Sequence, residues 1–175
     1  MKQKIWYTYD DIHRVIRNLA AKIQASGMKY DAMIAIGGGG FIPARMLRCF
    51  LDIPIYAVTT AYYDSDDLGK VTEEVKKVQW LDPVPEVLKG KNVLVVDEVD
   101  DSRVTLEFCL TELAKEDFAT IGIAVLHEKI KAKAGSIPAG MPYFSGITVE
   151  DLWINYPWDA EDIDEHNRLA AESST

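Results

Sequence analysis

Val93-Leu-Val-Val-Asp-Glu-Val-Asp-Asp-Ser-Arg-Val-Thr105 passes from an unbroken aliphatic run into four carboxylates within five positions, then into hydroxyls that open a helical pattern. The apolar start reads as a strand buried on both faces. In an open α/β sheet, ligands bind at the carboxyl ends of the strands, and that end carries Asp97, Glu98, Asp100 and Asp101. Clustered like charges repel and are costly without a cation or hydroxyl donors, which argues against a merely solvated acidic turn. Ser102 to Thr105 add hydroxyls and helix N–H groups that suit a phosphate. Carboxylates for sugar hydroxyls and Mg²⁺, beside a phosphate cradle, describe a sugar-phosphate site.

Working outward, the elements alternate. The spacing of Ile12, Val15, Ile16, Leu19 and Ile23 predicts a helix, with Thr8 and Asp11 as a capping-box-like start and Gly27 as the stop. Asp31-Ala-Met-Ile-Ala-Ile36 predicts a strand, Gly37 to Gly40 a loop, and Phe41 to Arg48 a helix. Further strands are expected at Ile55–Thr60, Lys91–Asp97 and Ile121–Leu126, with a helix marked by Leu106, Leu110 and Leu113. This is an α/β pattern, a mostly parallel sheet flanked by helices. Four glycines between strand and helix let backbone approach an anion closely. They fit neither a dinucleotide fingerprint nor a P-loop, because the third glycine position falls on Ile42 or Pro43 and no Gly-Lys-Ser/Thr follows.

The chain has 175 residues and reads as a single domain over 1–175. Residues 61–79 are polar enough for a mobile hairpin or lid, residues 135–159 suit a small C-terminal hood, and the acidic tail 160–175 is expected to fray. The net charge of -9 disfavours a nucleic-acid partner. The chain lacks an apolar run long enough to span a membrane and begins on a polar segment, so a cytoplasmic protein is expected. Cys49 and Cys109 read as reduced core thiols, and His13, His127 and His166 are too scattered for a zinc cluster.

Val95 to Thr105 resembles the phosphoribosyl-pyrophosphate (PRPP) motif of the type I phosphoribosyltransferases. Ile34-Ala-Ile-Gly-Gly-Gly-Gly-Phe-Ile-Pro-Ala-Arg45 is similar to the pyrophosphate loop of the 6-oxopurine group, and Trp153-Ile-Asn-Tyr-Pro-Trp-Asp159 to the purine hood of the bacterial xanthine-guanine enzymes. The resemblance implies roles. Asp97 and Glu98 would hold the ribose hydroxyls, with Mg²⁺ met by Glu98, Asp97 and Asp159. Gly39 and Gly40 would bind pyrophosphate, and Asp101, Ser102, Arg103, Val104 and Thr105 the 5′-phosphate. Asp101 would also be catalytic, accepting the purine N7 proton. Lys129 would read the 6-oxo group, although by itself it belongs to a Lys129-Ile-Lys-Ala-Lys133 run of surface charge. Trp153 would stack on the base, and Ile154 would offer its backbone to the purine edge.

The sequence departs from the family at three points: Gly38 replaces a basic residue, Arg103 replaces a glycine, and Tyr62-Tyr63 replaces a Ser-Tyr pair. Arg103 could add a cation at the phosphate. The implied activity is transfer of phosphoribose from PRPP to hypoxanthine, guanine or xanthine, releasing pyrophosphate, by a homo-oligomer (dimer or tetramer). The rival is a non-catalytic sensor of PRPP or nucleotide on the same fold, since fold alone does not decide function.

Overall fold

The computed structural model describes residues 3–63 and 74–173. In chain order the elements are β1 (Lys4–Trp6), α1 (Tyr9–Ala25), β2 (Ala32–Gly37), α2 (Phe41–Leu51), β3 (Ile55–Tyr63) and β4 (Glu74–Gln79). Then follow β5 (Asn92–Asp100), α3 (Val104–Leu113), β6 (Thr120–Ile130), β7 (Tyr143–Glu150), β8 (Trp153–Asn155) and α4 (Ile163–Ser173). Six strands form the main sheet in the order β4-β3-β2-β5-β6-β7, all pairs parallel except β3 with β4.

Alternation in the central strands sorts the core. Met33 and Ala35 of β2, with Leu94 and Val96 of β5, face Ile12, Ile16, Leu19 and Leu47 of α1 and α2. Ile34, Ile36, Val93 and Val95 face Leu106, Cys109, Leu110 and Leu113 of α3. Both faces of the sheet are therefore covered, as continuous aliphatic strands require. For α1, Thr8 and Asp11 form the expected reciprocal cap, worth about 0.5–2 kcal/mol. Burial of Ile12, Ile16, Leu19 and Ile23 contributes about 1.5–3 kcal/mol each, so packing rather than capping fixes this helix.

Three expectations change. Residues 143–150, assigned to the hood by their prolines and aromatics, are β7, a parallel strand beside β6. The hood is instead a two-stranded parallel sheet joining the chain's two ends, with Lys4 paired to Trp153, Ile5 to Ile154 and Trp6 to Asn155. The acidic tail does not fray over residues 163–173: Asp162 Oδ1 accepts the N–H groups of Asp164 and Glu165 at 3.0 Å, and α4 buries His166 and Ala170. Carboxylates in a first helical turn are favourable, so the acids that suggested disorder help start the helix. Cys109 is buried as expected, but Cys49 is exposed. Residues 64–73, the middle of the expected 61–79 lid, lie outside the described residues. Among the described residues no helix is long and apolar enough to cross a membrane.

Candidate active site

From β2 the chain turns to β3 on one side, whereas β5 and β6 lie on the other. Strand order thus reverses at β2 and β5, where a crevice opens beyond their carboxyl ends. The glycine loop leaves β2 there, and the acidic run leaves β5. Together they wall a cavity of about 350 Å³, lined by Gly37, Gly38 and Gly39, by Asp97 and Glu98, and by Asp101, Ser102, Arg103 and Thr105. Two segments separated by more than fifty residues are thereby joined in one site.

Glycine is required at two loop positions for different reasons. A Cβ on Gly39 would lie 1.8 Å from Glu98 Cδ, so the carboxylate rests directly on the loop backbone. Gly40, expected at the ligand, does not line the cavity. Its N–H donates to Ile36 O at 2.9 Å, and a Cβ there would meet Val96 O at 2.4 Å. Gly40 lets the loop pack onto β5. Val104 also stays off the cavity wall, as the first residue of α3.

The acids divide into three environments. Asp97 is 9% exposed, and its Oδ1 accepts the Glu98 N–H at 2.9 Å. Burial, then the neighbouring Glu98 charge, pushes its carboxyl well above the ordinary carboxylate range. Burial and the Glu98 charge also raise the Asp159 carboxyl, as they raise Asp97. Asp101 behaves oppositely. Its own burial would raise it, but hydrogen bonds from Lys131 at 2.8 Å and Lys129 at 3.1 Å outweigh that and hold it below the ordinary range. Lys129 is only 6% exposed, which removes the surface-charge reading.

Asp100 is fully enclosed and bound to Arg103, whose Nη2 and Nε donate to Oδ2 at 2.6 and 3.0 Å. The Arg103 guanidinium also reaches Glu128 at 3.5 Å. Arg103 is therefore committed to carboxylates, correcting the expectation of a cation for the phosphate.

Trp153, Ile154 and Asp159 lie on the hood, along a separate groove of about 420 Å³ that Trp6 also lines. Trp153 is 58% exposed, unlike a core tryptophan. Its backbone N–H donates to Gln3 O at 2.9 Å, and Asn155 O accepts from Tyr7 N at 3.2 Å. Alternate residues of a strand aim their peptide groups at opposite edges, so Ile154 aims its own away from β1. Tyr156 links hood to sheet: its hydroxyl donates to Glu98 O at 3.2 Å and meets His127 Nδ1 at 2.9 Å. Tyr156, His127, Lys131 and Lys133 are not singled out as site residues by the sequence; for the two lysines the signal is the Lys129-Ile-Lys-Ala-Lys133 alternation that runs on from the end of β6.

These features, a glycine loop and an acidic run meeting at a topological switch beneath an aromatic hood, match a known family. Residues 6–163 match the phosphoribosyl transferase domain, and the chain belongs to that family. It is 41% identical to a hypoxanthine-guanine phosphoribosyltransferase of Schizosaccharomyces pombe, covering 97% of this chain and 95% of that protein. It is 39% identical to xanthine phosphoribosyltransferase 1 of Saccharomyces cerevisiae, over 96% and 95% respectively. Among solved structures, a hypothetical protein from Neisseria gonorrhoeae with bound ppGpp is 85% identical, with a TM-score of 0.96 over 99% of this chain and 98% of that one. A purine phosphoribosyltransferase from Pyrococcus horikoshii is 30% identical, with a TM-score of 0.73 over 91% and 96%.

Proposed function

We propose that this protein is a 6-oxopurine phosphoribosyltransferase, in which N9 of hypoxanthine, guanine or xanthine displaces pyrophosphate from C1 of PRPP to give IMP, GMP or XMP. The observation that carries this reading is the cavity shared by the glycine loop and the acidic run, with the Asp101–Lys129 pair at its rim. A PRPP sensor would need neither a base-reading lysine nor an exposed hood tryptophan.

The residues divide the work. Asp101 is kept ionised by two lysines, so it stands in the form that can accept from N7, with its basicity lowered until the base takes over Lys129. Lys129 donates to the 6-oxo oxygen, and Trp153 with the outward peptide of Ile154 holds the base. Asp97 and Glu98 take the ribose hydroxyls, while Gly39, Ser102 and Thr105 face the phosphates. The displacement develops charge on a leaving pyrophosphate, so positioning and neutralisation supply most of the rate. Mg²⁺ fits this donor set. Burial and the Glu98 charge raise the Asp97 and Asp159 carboxyls, so both gain as anions from a nearby cation. Mg²⁺ is commonly held by one or two carboxylates together with substrate phosphates. When bound it supplies charge neutralisation at the pyrophosphate.

The test is incubation with PRPP, Mg²⁺ and each purine singly, with chromatographic identification of the nucleotide. Hypoxanthine, guanine or xanthine should yield its monophosphate with stoichiometric pyrophosphate. Absence of nucleotide from all three overturns the reading.

The Neisseria gonorrhoeae relative favours a second, compatible reading. Its ligand, ppGpp, combines a 6-oxopurine, a ribose, a 5′-diphosphate and a 3′-diphosphate, of which the first three match the groups assigned above to the cavity and hood. In this reading ppGpp competes with PRPP, so its inhibition should weaken as PRPP is raised. Inhibition independent of PRPP would place it elsewhere.

A further inference from the structure

Asp100 is 1% exposed and does not line the cavity, yet three donors and a nearby ammonium converge on it. Its Oδ2 accepts from Arg103 Nη2, from Arg103 Nε and from the Tyr143 hydroxyl at 2.9 Å, and Lys133 Nζ stands 3.5 Å from Oδ1. A buried carboxylate is costly unless so paired. Its main partner is itself in a conformation that needs support. Arg103 has φ 71°, in the left-handed region, where a residue with a Cβ is disfavoured. The type I resemblance expects glycine there, and glycine adopts that conformation without penalty.

The turn that Arg103 makes aims the loop backbone. Lys133 Nζ donates to the carbonyls of Asp100 at 2.6 Å and Asp101 at 3.0 Å, and the N–H groups of Ala134 and Gly135 donate to Ser102 O at 3.0 and 3.1 Å. Three successive carbonyls thus point to the segment after β6. Each peptide's N–H lies opposite its carbonyl, so the amides of Asp101, Ser102 and Arg103 point the other way. These residues line the cavity. Gly135 permits the close approach, since a Cβ there would meet Arg103 O at 2.5 Å.

We propose that Asp100 is a positioning residue for PRPP binding: by gripping the Arg103 guanidinium it locks the left-handed turn that glycine would otherwise provide, and so holds the 101–103 amides ready for a phosphate. This rests on reading the loop as the cradle of the PRPP 5′-phosphate. Asp100 and Arg103 act as a matched pair, so neither should tolerate loss of the other, whereas replacing both should restore a working loop.

The experiment is calorimetric binding of PRPP with Mg²⁺ to wild type, Asp100→Leu and Asp100→Leu/Arg103→Gly, alongside KM values for PRPP and base and a thermal melt. Without its lock, the left-handed turn loses population, and Asp100→Leu should weaken PRPP binding roughly 5- to 30-fold. The KM for base should stay near wild type. Adding Arg103→Gly should recover most of the lost PRPP affinity, because glycine needs no lock. If Asp100→Leu does not fold, Asp100→Asn with and without Arg103→Gly gives the same comparison. Unchanged PRPP affinity in the single variant, or a double variant no better than the single, overturns the proposal. Wild type that binds no PRPP overturns the reading of the loop itself.

Discussion

Lys129 Nζ donates to Asp101 Oδ2 at 3.1 Å, so the ammonium assigned to purine O6 and the carboxylate assigned to N7 stand side by side as a hydrogen-bonded pair. An ammonium donates but cannot accept, so it favours a 6-oxo over a 6-amino group. Lys129→Met should reduce the hypoxanthine-over-adenine ratio in kcat/KM by about tenfold or more, the worth of one charged hydrogen bond. An unchanged ratio returns Lys129 to a purely electrostatic role beside Asp101.

Trp153 exposes most of its indole, so removing it should cost the base rather than the fold. Stacking on a base is worth about 1–3 kcal/mol. Trp153→Ala should raise the KM for base by roughly 5- to 150-fold, with the KM for PRPP and the melting temperature little changed. Equal rises in both KM values with a large fall in melting temperature would mark it as packing.

The PRPP site should also resist a single methyl group. Gly39→Ala would drive a Cβ into the Glu98 carboxylate, and overpacking of this kind costs about 1–3 kcal/mol. The expected result is a KM for PRPP raised about tenfold, read by steady-state kinetics, with the KM for base nearly unchanged. A KM for PRPP equal to wild type would mean that Glu98 is free to move aside.

His127 makes a pH-dependent contribution to stability. It is fully buried, packed 4.4 Å from the Tyr7 ring, and burial pushes its imidazole down to about 3. The unfolded chain, with an ordinary histidine, binds this proton in the window between about 6.5 and 3 and the folded chain does not. Stability from this group therefore falls as pH falls through that window, by about 1.4 kcal/mol per unit. Asp97, raised in the fold, has the opposite slope but is present in both proteins compared. Urea denaturation at pH 7 and pH 5 should show His127→Asn losing about 2 kcal/mol less than wild type. Parallel losses would show that His127 is protonated in the folded state.

Much of this was legible locally. The aliphatic runs of β2 and β5, the glycines after one and the acids after the other were sufficient to place the cavity, because each signal lies within a dozen residues. The hood was not, since β1 and β8 pair across about 150 residues and three-residue strands carry no periodicity. Helix α4 had a signal, Asp162 three residues before Glu165, hidden by an acidic composition that resembles disorder. The Gly40 amide and the Arg103 guanidinium are engaged within the protein for a reason the motif does not carry. A motif says which residues gather at a site, but whether an amide or a guanidinium is already engaged depends on neighbours such as Ile36 and Asp100.

The most direct test of the account is the comparison of Asp101→Asn with wild type in turnover and in PRPP binding. Asparagine keeps the shape of the side chain but cannot take the N7 proton, and loss of such general-base help is worth about 10²–10⁴ in rate. The expected result is a kcat lowered by about 10² or more, with PRPP affinity in the presence of Mg²⁺ nearly unchanged, because the loop amides and Ser102 still line the phosphate cavity. A variant that turns over hypoxanthine or guanine at the wild-type rate would contradict the assignment of Asp101 as the proton acceptor.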